Sequence, residues 1–305
     1  MKSKNLRLED YKPIELDDKP VFDEHYKKYP PVHSDNVFTT LISWKEYAGY
    51  CYTVLDGNLL IMSKINGKIQ LRPPSGKKNR EVFDQVLKLA AEVESEYPVG
   101  VIDSVTKNFM EEIYQNLDFI PIRDCFDYVY LASDLARLSG SAYSKIRNRL
   151  NKFRKNFGYT VEEINTDNIG DVKRFLRRWC LWRDCDSDPL LEYEKKAVFY
   201  SMEHFFDLGL SGIAILINDH IEAVSVYEKM NPDTVVVHYE KGSPYYDGIY
   251  KAVNQETAKI VEKIAKYINR ESDFGMPGLR KAKMSYRPHH MIKIYSLKKE
   301  NLAVF

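Results

Sequence analysis

The chain has 305 residues, 44% of them apolar, which suits two packed domains of ordinary size and excludes a disordered chain. Forty-five Lys and Arg against 44 Asp and Glu leave a net charge of +1, so no global field draws nucleic acid or a membrane, and any anion must be held by a local patch. No apolar run approaches the length of a membrane span, the opening MKSKNLRLEDYKP has no apolar core, and the four cysteines show no CxxC spacing. The expectation is a cytoplasmic protein with reduced, mostly buried thiols and no metal site.

Residues 1–30 are polar and proline-bearing, and 1–19 read as an N-terminal arm. Val37, Phe38, Leu41, Ile42 and Trp44 predict a helix over 34–49, with Asp35 as cap and Gly49 as stop. Strands follow at 51–55, 59–65 and 68–71, joined at Asp56-Gly57-Asn58 and Asn66-Gly67. After the loop RPPSGKKN, residues 72–79, the apolar positions Val82, Phe83, Val86, Leu87, Ala90 and Val93 predict an amphipathic helix. A strand at 99–103, a helix marked by Phe109, Met110, Ile113 and Leu117, and strands at 119–122 and 127–131 complete this half.

The second half repeats the order. Strands at 213–217, 221–229 and 234–240 are separated by Asn218-Asp219 and Asn231-Pro232-Asp233. A loop with Gly242 and Pro244 leads to a helix whose apolar face runs from Ile249 through Val253, Ile260, Val261 and Ile264 to Ile268, with Asp247 as N-cap. A strand at 267–271, a glycine-broken loop at 273–278, a basic helix at 279–286 and an apolar run at 291–297 close the chain. Matching turns lie roughly 165 residues apart (Asn66 against Asn231), which suggests duplicated domains, since solenoid periods are shorter. A helix over 194–208, stopped at Gly209, matches the one over 34–49.

Between the halves, residues 141–158 read SAYSKIRNRLNKFRKNFG, with Lys145, Arg147, Arg149, Lys152, Arg154 and Lys155, no acid, and Ile146, Leu150 and Phe153 on one face. A second basic helix is expected over 171–183.

Three strands, loop, helix, strand, helix, strand is the order of a GNAT acyltransferase core, here met twice. The sequences YSKIRNRLNKF and INRESDFGMPGLRKAKMSYRP resemble soluble proteins grouped with the phosphatidylglycerol lysyltransferases, and the tandem order resembles that of the FemX-type peptidyltransferases. The resemblance, over about 35–297, implies an α+β fold of two GNAT-like domains, each a mixed, mainly antiparallel sheet flanked by helices. The expected domains are 20–135 and 141–305. It also implies an acyl or aminoacyl transferase drawing on an aminoacyl-tRNA-like donor, with an amine or hydroxyl acceptor. Competing expectations are a CoA-dependent N-acetyltransferase and a non-catalytic protein that binds RNA or anionic lipid. The implied partners are transfer RNA or another phosphate-bearing substrate, with peripheral contact to a membrane and no spanning segment.

Acetyl-CoA is the disfavoured cofactor, the aminoacyl-tRNA is the expected co-substrate, and the sequence names no other. The loop EKGSPYYDG, residues 240–248, lacks the Q/R-x-x-G-x-G/A pattern, Pro244 removes a donor, and Asp247 places a negative charge where a pyrophosphate would sit. Acylation needs a base and a donor to the leaving group. Glu240, Asn269 and Asp273 lie at the strand ends where a GNAT sheet splays open, Glu271 among them, and Tyr286 follows the basic helix near the position of a GNAT tyrosine acid. Glu240, Asn269, Asp273 and Tyr286 are the expected catalytic residues. Lys145, Arg147, Arg149, Arg154, Arg280, Lys281 and Lys283 are the expected phosphate contacts, and Tyr245 and Tyr246 are placed to stack on a base. Arg147, Arg149, Arg154, Arg280 and Lys283 are expected to converge on one positive, concave surface. His238 reads as structural, and His289-His290 is too short a pair to propose a metal.

Overall fold

The structure, a computed structural model, describes residues 5–305; residues 1–4 of the expected arm lie outside the described residues. In chain order it contains β1 (Lys12–Pro13), α1 (Lys19–Lys28), α2 (Phe38–Ser43), α3 (Lys45–Ala48), β2 (Cys51–Leu55), β3 (Asn58–Ile65), β4 (Lys68–Leu71), α4 (Arg80–Glu92), β5 (Val99–Asp103), α5 (Ser104–Ile113), β6 (Phe119–Pro121) and β7 (Asp127–Leu131). Then come α6 (Ala132–Arg137), α7 (Ser144–Asn156), β8 (Thr160–Glu163), α8 (Ile169–Arg183), α9 (Pro189–Glu203), β9 (Ser211–Ile217), β10 (His220–Asn231), β11 (Thr234–Gly242), α10 (Ile249–Val261), β12 (Tyr267–Asn269), α11 (Pro277–Ser285), β13 (His290–Ile292) and β14 (Ile294–Leu297). Among the described residues, no helix is long and apolar enough to cross a membrane.

The described residues form two compact units, 5–126 with 292–305, and 127–291. Each holds a seven-stranded sheet, in the orders β1-β2-β3-β4-β5-β14-β6 and β13-β7-β12-β11-β10-β9-β8. The units do not follow the expected boundaries at 135 and 141. β7 pairs with β12 in the second sheet, and β14 pairs with β5 and β6 in the first. Each sheet therefore takes one strand from the far end of the other's sequence. An alternating apolar strand shows that it will be half-buried but not which partner it will find.

In the first unit, helix α4 crosses between the parallel strands β4 and β5 and covers the sheet with Val82, Phe83, Val86 and Leu87, against Leu60, Val99, Ile102 and Leu297. The expected turns hold: Asp56 and Gly57 (φ 49° and 73°), like Asn66 and Gly67 (φ 50° and 80°), adopt the left-handed pair that a tight hairpin needs. The arm is part of the sheet, since Lys12 and Pro13 pair with Tyr52 and Cys51. The helix predicted over 34–49 is broken. A 3-10 turn spans Ser34–Asn36, capped by His33 Nδ1 and not by Asp35, and α2 and α3 part at Trp44.

In the second unit, α10 crosses between the parallel strands β11 and β12 in the same way. Val253, Ala258 and Val261 pack on Ile213, Val235 and Ile268. Several boundaries moved. Helix α9 starts earlier than predicted because Asp188 caps it through Leu190 and Leu191 N–H. Helix α10 is capped at Gly248 (φ 102°), not at Asp247, and ends at Val261, so Ile264 is exposed and Ile268 belongs to β12. A Cβ at Gly248 would come within 2.9 Å of Phe153 on α7, so that position needs glycine for space as well as for φ.

Candidate active site

The parallel pair β11–β12 fixes the site. It holds register for three residues only, Thr234↔Tyr267, Val235↔Ile268 and Val236↔Asn269. β11 then continues to Gly242, paired only with β10, while the other chain turns away through Arg270 and Glu271. A bulge starts the divergence: Val226 pairs with Tyr239 and Tyr227 with Val237, which leaves His238 as the extra residue. The result is a wedge between two strands that no longer pair.

Side chains fill this wedge in an ordered way. Glu240 on β11 forms an ion pair with Arg270, and its other oxygen accepts from Asn254 Nδ2 at 3.1 Å. The Arg270 guanidinium lies 5.1 Å from the Tyr286 ring centroid and 5.8 Å from that of Tyr130. Lys251, in the first turn of α10, places Nζ 4.7 Å from the same Tyr286 ring. Burial pushes Lys251 down to about 8, and the charges of Arg270 and Arg149 push the same way against Glu240. Burial raises the Tyr286 hydroxyl well above the usual tyrosine range, so it stays protonated. An amine whose ammonium titrates near 8 can take a proton when neutral and return it when charged, close to neutrality, and a protonated phenol can donate to a developing oxyanion. Of the four expected catalytic residues, the structure brings Glu240 and Tyr286 together around Arg270.

Asn269 and Asp273 are fully buried and tied elsewhere. Asn269 donates to Asp127 at 2.7 Å and accepts from Glu271 N–H at 2.7 Å, which shapes the exit from β12. Asp273 receives a two-pronged contact from Arg280 (2.9 Å from both Nε and Nη2), the Tyr128 hydroxyl and Gly275 N–H. Burial alone would raise the Asp273 carboxyl. These donors outweigh it and hold the group well below the usual carboxylate range.

The expected phosphate contacts have other work in this structure. Arg147 donates to the Leu138 and Gly140 carbonyls and so closes the end of α6. Arg154 binds Gln255 and Glu256 at 2.8 and 3.2 Å. Lys283 is buried, and its Nζ caps the carbonyls of Arg270, Glu271 and Ser272, the turn in which Glu271 sits at φ 57°. Arg149 pairs with Asp247 at 3.0 Å across an exposed face, a pair worth little by itself. Lys145 and Lys281 are exposed. Tyr245 is 71% exposed, edge-on to Trp182, and Tyr246 packs edge-on against Phe157 at 5.1 Å. With Arg147, Arg154, Arg280 and Lys283 bound internally, Arg149 is the member of the expected surface whose charge acts on the wedge.

A profile for the family described as phosphatidylglycerol lysyltransferase, C-terminal, matches residues 26–298. The chain belongs to this family. A conserved protein of unknown function from Bacteroides thetaiotaomicron VPI-5482 is 29% identical, with TM-score 0.86 over 94% of this chain and 98% of that one. L-PGS from Bacillus licheniformis superposes with TM-score 0.63 at 14% identity, over 92% and 91% of the two chains, and FemX with 0.56 at 11%, over 96% of this chain and 98% of that one. The last two share the tandem GNAT-like fold of this member. An uncharacterised protein of Mycoplasmoides gallisepticum is 25% identical over 201 residues, and the chain spans 64% of that relative's length.

In this family member, sequence reasoning missed Arg270, Lys251 and Asn254. Arg270 sits between two residues that were singled out, Asn269 and Glu271, and an arginine at a strand end reads as solvated. Lys251 has the same disguise on an amphipathic helix. His238 was read as structural, and its surroundings are unusual: Glu271 and Glu228 bind its two ring nitrogens at 2.9 Å each. Burial lowers this imidazole, but the two carboxylates outweigh that and push it up to about 10, so it is a cation at neutral pH. It pins the bulge of β11 to the turn after β12 and thereby holds the wedge open.

Proposed function

We propose that the second unit transfers an acyl group, and specifically an aminoacyl group from an aminoacyl-tRNA-like ester, to an amine or hydroxyl acceptor in the wedge between β11 and β12. The observation that carries this reading is the Lys251–Tyr286–Glu240 group gathered around Arg270 where the two strands part. Membership in a lysyltransferase family supports it. The Glu240 carboxylate receives the α-ammonium of the aminoacyl group. Neutral Lys251 takes the proton of the acceptor as its oxygen or nitrogen bonds to the ester carbonyl carbon. Tyr286 donates a hydrogen bond to the carbonyl oxygen while it carries negative charge. The bond from that carbon to the ribose oxygen then breaks, and the proton on Lys251 goes to the leaving oxygen, which balances the step.

Two features count against the CoA alternative. Of the first N–H groups of α10, Ile249 N–H donates to Tyr246 O at 3.1 Å and Lys251 N–H to Gly248 O at 2.8 Å. Asp247 stands exposed at the same helix end. The test is turnover of labelled, charged bulk transfer RNA in the presence of mixed phospholipids and soluble amines, with acetyl-CoA assayed in parallel. Label should move from RNA to an acceptor. Transfer from acetyl-CoA, with none from charged RNA, would overturn the proposal.

A further inference from the structure

The first unit has its own wedge, and it is open. β4 and β5 pair at a single position, Leu71↔Val99, before the chain leaves through Arg72 to run beside β3, where Arg72 N–H bonds Ile61 O and Ser75 pairs with Leu59. The far half of β5 is thereby left without a neighbour on that side. The space is a cavity of about 290 Å³. That is close to the smallest volumes that hold organic ligands, roughly 300 Å³.

Its walls combine two chemistries. Tyr26, Tyr29, the proline pairs Pro30-Pro31 and Pro73-Pro74, and Ile61 give flat, apolar surface, whereas Arg72, Lys78, Lys28 and Asp103 set three cations against one carboxylate. Arg72 is the decisive group. It is 4% exposed, and among the described residues no carboxylate pairs with it. One guanidinium nitrogen donates to the Asp35 carbonyl at 2.5 Å and to Asn36 Oδ1 at 2.6 Å, both neutral acceptors, and the guanidinium lies 5.0 Å from the Tyr50 ring centroid. Its Nε–H is buried with no partner. Buried charges in folded proteins are paired or bind an ion, because an uncompensated one is costly. A second cation stands at the rim, where Lys78 Nζ donates to Thr106 Oγ1 at 2.9 Å, and Thr106 in turn donates to Asp103. The far wall is strained: Val101, β-branched, sits at φ 54° and lines the cavity.

We propose that this cavity binds a phosphate monoester on a small apolar or planar body, with the phosphate on Arg72 and Lys78 and the body against Tyr29 and the prolines. The net charge of the lining selects a dianion over a monoanion, since a phosphate monoester carries about −1.5 to −2 at pH 7 and a carboxylate carries −1. The volume limits the bound part to roughly the size of a headgroup or small metabolite. This site lies in the first unit and does not depend on the acyl-transfer reading.

The experiment is calorimetric titration of the full chain with phenyl phosphate, with phenol and inorganic phosphate as partial probes. Phenyl phosphate should bind one to one with a dissociation constant below about 1 mM, and phenol should not bind. Arg72→Met should weaken binding about tenfold or more, the loss expected for charge-assisted hydrogen bonds. Lys78→Met alters an exposed side chain; both variants should keep the wild-type thermal melt, and Lys78→Met should weaken binding in the same direction. Vesicles of phosphatidylcholine with phosphatidate name the source: binding lost in Arg72→Met places the phosphate on a lipid, and binding of phenyl phosphate without vesicle binding places it on a soluble ester. No heat with phenyl phosphate, equal affinity for phenol, or unchanged affinity in both folded variants would overturn the proposal.

Discussion

Replacing Glu240 by leucine should destabilise the second unit by about 3–5 kcal/mol, the range for removing one partner of a buried ion pair. The side chains of Arg270 and Glu240 are 15% and 10% exposed, so the variant leaves a guanidinium in the wedge with little water to solvate it. Burial pushes Arg270 down, but Glu240 and the tyrosines beside it more than offset this and raise it above its ordinary value, so it cannot shed its charge. Chemical denaturation followed through Trp179 and Trp182, both on α8 in this unit, measures the loss. The double variant Glu240→Leu with Arg270→Met should recover most of it, because an apolar pair of similar volume replaces the ions without stranding either. A single-variant cost under about 1 kcal/mol would mean that the pair behaves as a solvent-exposed one.

Lys251→Met should lower the transfer rate by about 10²–10⁴-fold, the usual contribution of a positioned acid–base group, with little change in stability. Lys251 makes no ion pair among the described residues and faces the positive charges of Arg270 and Arg149, so losing its ammonium removes repulsion as well as a base. The pH dependence follows from the same environment. The base must be neutral, so kcat/KM should rise with pH and level off above an apparent pKa of about 8. Lys251→Arg should not restore the rate, because a guanidinium does not lose its proton in this range. A flat pH profile, or a Lys251→Met variant as fast as the wild type, would remove Lys251 from the chemistry.

Much of the fold was legible because its signals are local. Asp56-Gly57 and Asn66-Gly67 demand left-handed turns, and the helical face from Val82 to Ala90 demands a sheet to cover. The exchange of β7 and β14 was not legible, since pairing across more than a hundred residues leaves no trace in either strand's pattern. The N-cap of α10 fell to Gly248 because the close approach of Phe153 decides it, and that contact is tertiary. The candidate site divides in the same way. Glu240 and Tyr286 could be placed by counting strands and helices. Arg270, Lys251 and Arg72 looked like surface cations, and only their burial distinguishes them. The basic run of α7 shows the converse: a charge cluster is visible in sequence, but the carbonyls and acids that bind Arg147 and Arg154 are brought to it by folding.

The central claim is that the aminoacyl group is handled in the wedge of the second unit. The most direct measurement is a crystal structure of the full chain with a non-hydrolysable donor analogue, an adenosine carrying an amino acid through a 3′-amide. The account predicts the aminoacyl α-ammonium at Glu240, the amide carbonyl within hydrogen-bond reach of the Tyr286 hydroxyl, and Lys251 Nζ facing the carbonyl carbon. An analogue bound in the first unit at Arg72, with the wedge around Arg270 unchanged, would contradict it.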